Sequence, residues 1–302
     1  MGTAIEIVEV GPRDGLQNED VILSTEKKLA LIDHLIGAGL RRIEAVSFAH
    51  PGRVPQMADA EAVMAGVPKV DGVSYIGLVM NWRGWMRAVE TTVDEVNMPV
   101  MTTATFNQRN QGVSPDESVA VLADIVDAAA DTGIAVSGTI SASWGCPFEG
   151  EVPVTRLVEV AEQVVGAGVV ELSLADTIGV ADPWAVTERI TAVRSAIGDL
   201  PIRVHFHDTR NTGIANTAAA IDAGVTIVDA SVGGIGGCPF APAATGNIAT
   251  DDLVYMLDRA GFDHGTSLGR LIDVSHWLED TLGKPVPAML PKAGRFPTEG
   301  AA

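Results

Sequence analysis

The residues best placed to do chemistry are His205 and His207, in Val204-His205-Phe206-His207-Asp208-Thr209. In a strand, alternate side chains share a face, so both imidazoles project the same way, about 7 Å apart. Two neutral imidazoles so placed can converge on one divalent cation. Phe206 then points the opposite way, into an apolar layer. The run-up from Leu200 to Val204 reads as strand and the chain from Asn211 reads as helix. The pair therefore sits where a strand gives way to a helix. The same letters also fit one paired surface histidine and one core histidine, because the motif is short and common.

Other candidates lie far away in the chain. Asp14, in Arg13-Asp14-Gly15, could add a carboxylate to the imidazoles, and Asn247 a neutral oxygen. Asp before Gly is also ordinary turn chemistry. Arg13 cannot act as a base, but a fixed guanidinium can stabilise an oxyanion as it forms. It could equally form an ion pair with Glu44, and that partner would hold it in place. Gln17 could donate to a substrate carbonyl or cap its loop. Cys238 follows a run with four glycines in five residues, Gly233 to Gly237. Such backbone permits close approach to a ligand. A thiol there could donate or accept a proton, or be a small apolar filler. Cys146, without the glycine run, reads as structural. Asp176 could orient a metal ligand, hold a substrate oxygen or cap the next helix.

The elements that must position these groups alternate regularly. Candidate strands cover residues 5–10, 42–47, 73–79, 95–100, 134–141, 169–174, 202–206 and 226–231. Candidate helices cover 26–38, 55–64, 82–91, 115–131, 153–166, 183–196, 211–223 and 250–260. Several helices open with Pro and close at Gly, as helix ends prefer. The strands are nearly continuously apolar, as when both faces are buried. Eight strand–helix units predict an α/β protein, a (β/α)8 barrel over residues 1–262. A doubly wound sheet is the alternative, but no GxGxxG follows the first strand. Residues 263–302 predict a short C-terminal extension, one amphipathic helix over 266–282 and then an irregular, mobile tail. In such a barrel, chemistry collects where strands end. Asp14, Glu44, Asp176, the histidine pair and Cys238 all fall at that rim, which favours the metal reading.

Bulk properties narrow the class. The chain has 302 residues, 47 % of them hydrophobic, enough for a full core. A formal charge of −19 opposes binding to nucleic acid or an anionic membrane surface. No run approaches the roughly 18 apolar residues of a membrane span. Two distant cysteines and no leader-like N-terminus predict a reduced, cytoplasmic protein. A homo-oligomer, a dimer, is the expected assembly, although no residue specifies it.

Longer motifs carry a family resemblance. Gly11-Pro12-Arg13-Asp14-Gly15-Leu16-Gln17-Asn18-Glu19 resembles the opening motif of 3-hydroxy-3-methylglutaryl-CoA lyases. These belong to a group of metal-dependent TIM-barrel lyases and Claisen-condensing synthases. Ile43-Glu44-Ala45-Val46-Ser47-Phe48, Val54-Pro55-Gln56-Met57-Ala58-Asp59 and Ala175-Asp176-Thr177-Ile178-Gly179 continue it. So do His205-Phe206-His207-Asp208-Thr209, the stretch from Ser231 to Phe240, and Gly246-Asn247-Ile248-Ala249-Thr250. The match runs in order from about residue 4 to 260.

The resemblance implies Asp14, His205, His207 and Asn247 as ligands of a divalent metal. Mixed oxygen and nitrogen ligation suits Mg2+ or Mn2+, though Zn2+ or Co2+ also fit. It implies Arg13 and Cys238 as catalytic, and Glu44 and Asp176 as further active-site acids. The implied reaction is retro-Claisen cleavage of a small-molecule acyl-CoA, 3-hydroxy-3-methylglutaryl-CoA, to acetyl-CoA and acetoacetate. Departures occur at Gly233, Ile235 and Phe240, and at Arg210-Asn211-Thr212 where Tyr-Gly-Gln is expected. Arg210 could serve a larger or differently charged acyl group. A lyase for a longer or citramalyl-type 3-hydroxyacyl-CoA is therefore the alternative, with a condensing synthase as a further rival. The synthases commonly carry an extra domain, for which about 40 residues after the barrel are too few. A non-catalytic binding protein would have lost ligands that this chain retains.

Overall fold

The computed structural model describes residues 3–237 and 246–297. Its strands are β1 (Glu6–Glu9), β2 (Arg42–Ser47), β3 (Ser74–Leu78) and β4 (Glu95–Met101). They continue with β5 (Ala135–Ser141), β6 (Leu172–Asp176), β7 (Ile202–Phe206) and β8 (Ile227–Ala230). All pair in parallel and close in the order β1-β8-β7-β6-β5-β4-β3-β2. The closed barrel excludes the doubly wound alternative. Only β6 is displaced from its expected span. Val169 and Val170 are apolar but precede the ladder, because hydropathy reports burial and not where pairing starts.

The surrounding helices are α1 (Thr25–Gly37), α2 (Ala60–Gly66), α3 (Trp82–Ala88), α4 (Ala104–Gln111) and α5 (Pro115–Ala129). Next come α6 (Val154–Gly166), α7 (Pro183–Ile197), α8 (Gly213–Asp222), α9 (Thr250–Ala260) and α10 (Leu268–Leu282). Local chemistry sets their starts. Ser114 and Glu117 form a reciprocal capping box ahead of α5, with Pro115 in its first turn. Asp182 caps α7 by accepting from Trp184 N and Ala185 N, each at 3.0 Å.

Several expectations need correction. The helix expected over 55–64 is split into a 3-10 turn, Pro55–Met57, and α2. Helix α8 starts at Gly213 and not at Asn211, whose φ of +57° is left-handed. Helix α4 had no apolar stripe to reveal it, since Phe106 is its only large apolar side chain. Buried Asn107 anchors it instead, accepting from Met101 N at 3.1 Å and donating to Val113 O and Ser118 Oγ. A small hairpin pairs Gly145–Cys146 with Gly150–Glu151. The C-terminal stretch is not wholly irregular, because Leu290–Ala293 forms a short helix. Leu271, Val274 and Leu278 of α10 are buried, and Ser275 Oγ donates to Asp251 Oδ1 at 2.7 Å.

The barrel lumen also differs from the apolar interior expected of it. Val8, Val10 and Ile76 make only a small apolar cluster there. Arg42 of β2 reaches Glu95 of β4 at 2.7 Å and Glu171, just before β6, at 2.7 Å. Side chains on non-adjacent strands meet only through the lumen, so these ions lie inside the barrel. Each strand has few such positions, and its outward Val, Ile and Leu residues dominated its hydropathy.

Glu9, at the end of β1, ties three segments together. Its Oε1 accepts from Gly11 N at 2.7 Å and Val232 N at 2.9 Å, and Thr250 Oγ1 lies 2.7 Å from its Oε2. Burial pushes its carboxyl up to about 8, against the pull of those hydrogen bonds. The folded chain thus holds a proton that the unfolded chain releases near its ordinary 4.5. This contribution to stability is full below about 4.5 and is lost as pH rises through about 8. Urea unfolding at stepped pH should show it as a slope of up to about 1.4 kcal/mol per pH unit. Glu9→Gln keeps a neutral, isosteric group and is expected to flatten that slope; an unchanged slope places the proton elsewhere.

Candidate active site

The chain leaves β1 in a single wide turn, Gly11–Gly15, in which Val10 O accepts from Asp14 N at 2.8 Å. This turn aims Arg13 and Asp14 at the barrel mouth. It can do so because Gly15 lies against the chain following β8. A Cβ on Gly15 would stand 2.8 Å from Ile235 Cγ1 and 2.9 Å from Ser231 Oγ. Arg13 Nε donates to Glu44 Oε2 at 2.7 Å, and its Nη1 donates to Asp14 Oδ1 at 2.7 Å. The ion pair with Glu44 therefore exists, and it fixes the guanidinium beside the cluster. Burial pushes Glu44 up, and the Arg13 charge only partly opposes it. Burial also acts against Asp14, but Arg13 and then the facing imidazoles prevail and hold it at about 2.

His205 is inward-facing on β7, and His207 follows the strand end. Their Nε2 atoms stand 3.2 Å apart, and His205 Nε2 stands 4.0 Å from Asp14 Oδ2. The segment after the glycine loop runs back along β7, with Ile248 N donating to Phe206 O at 3.2 Å. That brings in Asn247, whose Nδ2 donates to Asp14 Oδ2 at 2.9 Å and Ile235 O at 3.2 Å. Gly236 permits it, with φ +100° and no space for a Cβ, which would stand 2.7 Å from Asn247 Nδ2.

Sequence reasoning missed Asp229. It sits in register with His205 on β8, and its Oδ2 lies 3.1 Å from His205 Nδ1. A carboxylate there holds the ring so that Nε2 faces the cluster. Its signal in the sequence was a lone acid inside the short apolar strand Ile227-Val228-Asp229-Ala230. Burial disfavours the His205 cation, but the Asp229 bond and charge outweigh it and raise His205. His207 has no such partner. Burial, and then the His205 charge, push it down to about 3, so it is a neutral base.

These donors fit a divalent cation. Cis ligands at about 2.1 Å from an octahedral ion stand about 3.0 Å apart, close to the spacing of the two Nε2 atoms. Asp14, His205 and His207 each offer a ligand atom within 4.8 Å of the others. Among the described residues, Asn247 Oδ1 and His207 Nδ1 are buried with no hydrogen-bond partner, so the site holds unused polar capacity. The cluster opens into a cavity of about 990 Å3 whose wall includes Arg13, Gln17, Asn97, Thr139 and Ser141. Arg53 and Arg83 stand exposed at its edge.

Gln17 lines the cavity, with its Oε1 buried and unpartnered among the described residues. Asp176 is fully buried, and its oxygens accept from Val180 N at 2.9 Å and Ala181 N at 3.0 Å. It braces the loop ahead of α7. Arg210 Nη1 donates to Ile178 O and Gly179 O, each at 2.8 Å, and is not part of the cavity wall. Its expected contact with substrate therefore loses its support. Cys146 is buried, with Sγ 3.0 Å from Thr103 Oγ1. Cys238 lies outside the described residues.

A closed (β/α)8 barrel with a carboxylate–imidazole cluster beside a clamped arginine, all at the strand ends, defines a barrel enzyme with a candidate metal centre. The HMGL-like family model matches residues 4–278. The hydroxymethylglutaryl-CoA lyase YngG of Bacillus subtilis is 39 % identical over 284 residues, covering 94 % of this chain and 95 % of that one. The mitochondrial hydroxymethylglutaryl-CoA lyase of Mus musculus is 41 % identical over 296 residues, covering 97 % and 91 %. A structure of an HMG-CoA lyase from Acenitobacter baumannii in complex with coenzyme A and 3-methylmalate superposes with a TM-score of 0.93. It is 38 % identical and covers 97 % of this chain and 96 % of that one. The chain belongs to the HMGL-like family. Among the described residues, no helix is long and apolar enough to cross a membrane.

Asp14→Asn is expected to weaken Mn2+ binding more than about a hundredfold in calorimetric titration, with the circular dichroism unchanged. Unchanged affinity would remove Asp14 from the ligand set.

Proposed function

We propose that this chain is a divalent-metal-dependent lyase that cleaves 3-hydroxy-3-methylglutaryl-CoA to acetyl-CoA and acetoacetate. The observation that carries the reading is the convergence of Asp14, His205 and His207 beside the Arg13–Glu44 pair, inside one large cavity. The curated relatives that bear the lyase name match over nearly the whole chain, which supports the same chemistry.

Asp14, His205, His207 and Asn247 would hold the cation, and their mixed oxygen and nitrogen set suits Mg2+ or Mn2+. When bound, the cation supplies Lewis-acid polarisation that makes the tertiary hydroxyl of the substrate more acidic. Arg13, on the cavity wall beside the cluster, would meet the thioester oxygen. As the hydroxyl proton passes to a basic group of the cluster or to water, the O–H electron pair forms the ketone of acetoacetate, and the carbon–carbon bond breaks. The electrons of that bond pass to the thioester as an enolate, whose oxygen Arg13 stabilises. Glu44 keeps the guanidinium aimed, since one fixed carboxylate restricts its rotation. Cys238 then donates its thiol proton to the enolate carbon to give acetyl-CoA. That assignment rests on the sequence motif alone. Arg53 and Arg83, exposed at the cavity edge, suit the phosphates of a CoA carrier, which supports an acyl-CoA substrate despite the chain's net charge of −19.

One observation favours a second reading, a lyase for a related 3-hydroxyacyl-CoA. The cavity wall carries Asn97, Thr139 and Ser141, hydrogen-bonding groups suited to a more polar or longer acyl chain.

Purified protein with Mn2+ should release acetyl-CoA from 3-hydroxy-3-methylglutaryl-CoA, and a chelator should stop it. Turnover confined to a longer homologue in a 3-hydroxyacyl-CoA panel would move the assignment to the second reading. Cys238→Ser is expected to lower kcat by about 100-fold or more with Mn2+ still bound, and a wild-type rate would remove its acid role.

A further inference from the structure

Arg203 lies two residues before His205 on β7, one lumen layer below it, and is 1 % exposed. Its Nε stands 3.1 Å from Glu171 Oε1 and 3.5 Å from Asp229 Oδ1. Asp229 Oδ2 in turn stands 3.1 Å from His205 Nδ1. A run of alternating charge thus climbs the lumen from Glu171 through Arg203 and Asp229 to the imidazole.

Two features make Arg203 more than a filler of charge. Arg42 already grips Glu171 with both Nη atoms, at 2.7 and 2.9 Å, so Glu171 does not need Arg203 as its sole partner. Asp229 Oδ1, by contrast, is buried and accepts no hydrogen bond from the described residues. The Arg203 guanidinium, whose Nε and Nη2 make no hydrogen bond among the described residues, is the buried cation beside it at 3.5 Å, and without that attraction the carboxylate has nothing to set its rotation on that side. A carboxylate that turns would release His205 Nδ1, and the ring could then turn or change tautomer.

We propose that Arg203 is a positioning residue for the candidate metal centre: it orients Asp229, which holds His205 Nδ1 and aims His205 Nε2 at Asp14 and His207. The proposal rests on the reading that those three side chains hold a cation, and it goes beyond the proposed reaction.

Two readouts test it. Long-range proton–nitrogen NMR of the metal-free protein reports the tautomer of His205, assigned by the signals lost in His205→Gln. Electron paramagnetic resonance titration reports Mn2+ affinity. At a pH high enough to leave His205 neutral, wild-type protein should show one His205 tautomer, with the proton on Nδ1. Arg203→Met is expected to give mixed tautomers and roughly tenfold weaker Mn2+ binding, with Arg203→Lys recovering most of the loss. Asp229→Asn should weaken Mn2+ as Arg203→Met does, and the double variant should lose no more than Asp229→Asn alone. A folded Arg203→Met protein with one unchanged tautomer and wild-type affinity overturns the proposal. So does a double variant whose loss is the product of the two single losses. If Arg203→Met does not fold, the double variant, which removes both charges together, is compared with Asp229→Asn, and a further loss overturns the proposal. Wild-type protein that binds no Mn2+ overturns the metal reading instead, and the tautomer comparison still decides the role of Arg203.

Discussion

The seam between β1 and β8 is the constraint on which the rest of the molecule depends. Glu6, Ile7, Val8 and Glu9 pair in parallel with Ile227, Val228, Asp229 and Ala230, joining the two ends of the barrel chain. Closing the ring fixes where each strand ends, and therefore where each following loop starts. The turn that carries Arg13 and Asp14 is thereby placed against the loop after β8 and opposite the end of β7. Close backbone approach then completes the arrangement. Gly15 and Gly236 occupy positions where a Cβ would collide with Ile235 and Asn247. Glu9 fastens the same junction by accepting from Gly11 and Val232 and holding Thr250. The cluster is thus built by backbone that has little freedom to move.

Within this frame, neighbouring acids of the same chemistry take opposite states. Glu9 and Asp14 are close in sequence and both buried. Glu9 meets only backbone amides and a hydroxyl, so the cost of burial keeps it neutral near pH 7. Asp14 meets Arg13 and two imidazoles, and the same burial cost is outweighed. The imidazoles diverge for the same kind of reason. His205 has a carboxylate behind it, whereas His207 has an Nδ1 with no partner among the described residues and stays neutral. One fold thus provides an anion, a clamped cation and a neutral base side by side, set by neighbours and not by residue type.

The lumen beneath the cluster bears charge rather than the usual branched apolar layers. Burying Glu95, Glu171, Arg203 and Asp229, with Arg42 partly buried among them, costs desolvation, and their mutual contacts offset it. Buried ion networks do little for net stability, but they restrict geometry. Here the restricted geometry lies one layer below His205, where orientation matters most.

Much of this was legible in the chain by itself. The alternation of apolar runs and amphipathic helices determined the eightfold barrel, because strand and helix periods are local properties of residue order. The position of each polar motif relative to its strand placed Asp14, Glu44, His205 and His207 at one rim. Period-two geometry put the two histidines on one face. Other features had no local signal. Asp229 looked like an isolated acid until the β7–β8 register set it beside His205. Helix α4 has no apolar stripe and is held by the side chain of Asn107. Arg210 looked like a substrate contact but is engaged by two carbonyls of a neighbouring loop. The Arg42–Glu95 pair of the lumen joins strands that are not neighbours, and the Arg203–Asp229 pair joins two strands with a helix between them in the chain, so no short window of sequence contains both partners. Tertiary structure alone decided those contacts, because they depend on how the ring closes, which sums the positions of all eight strands.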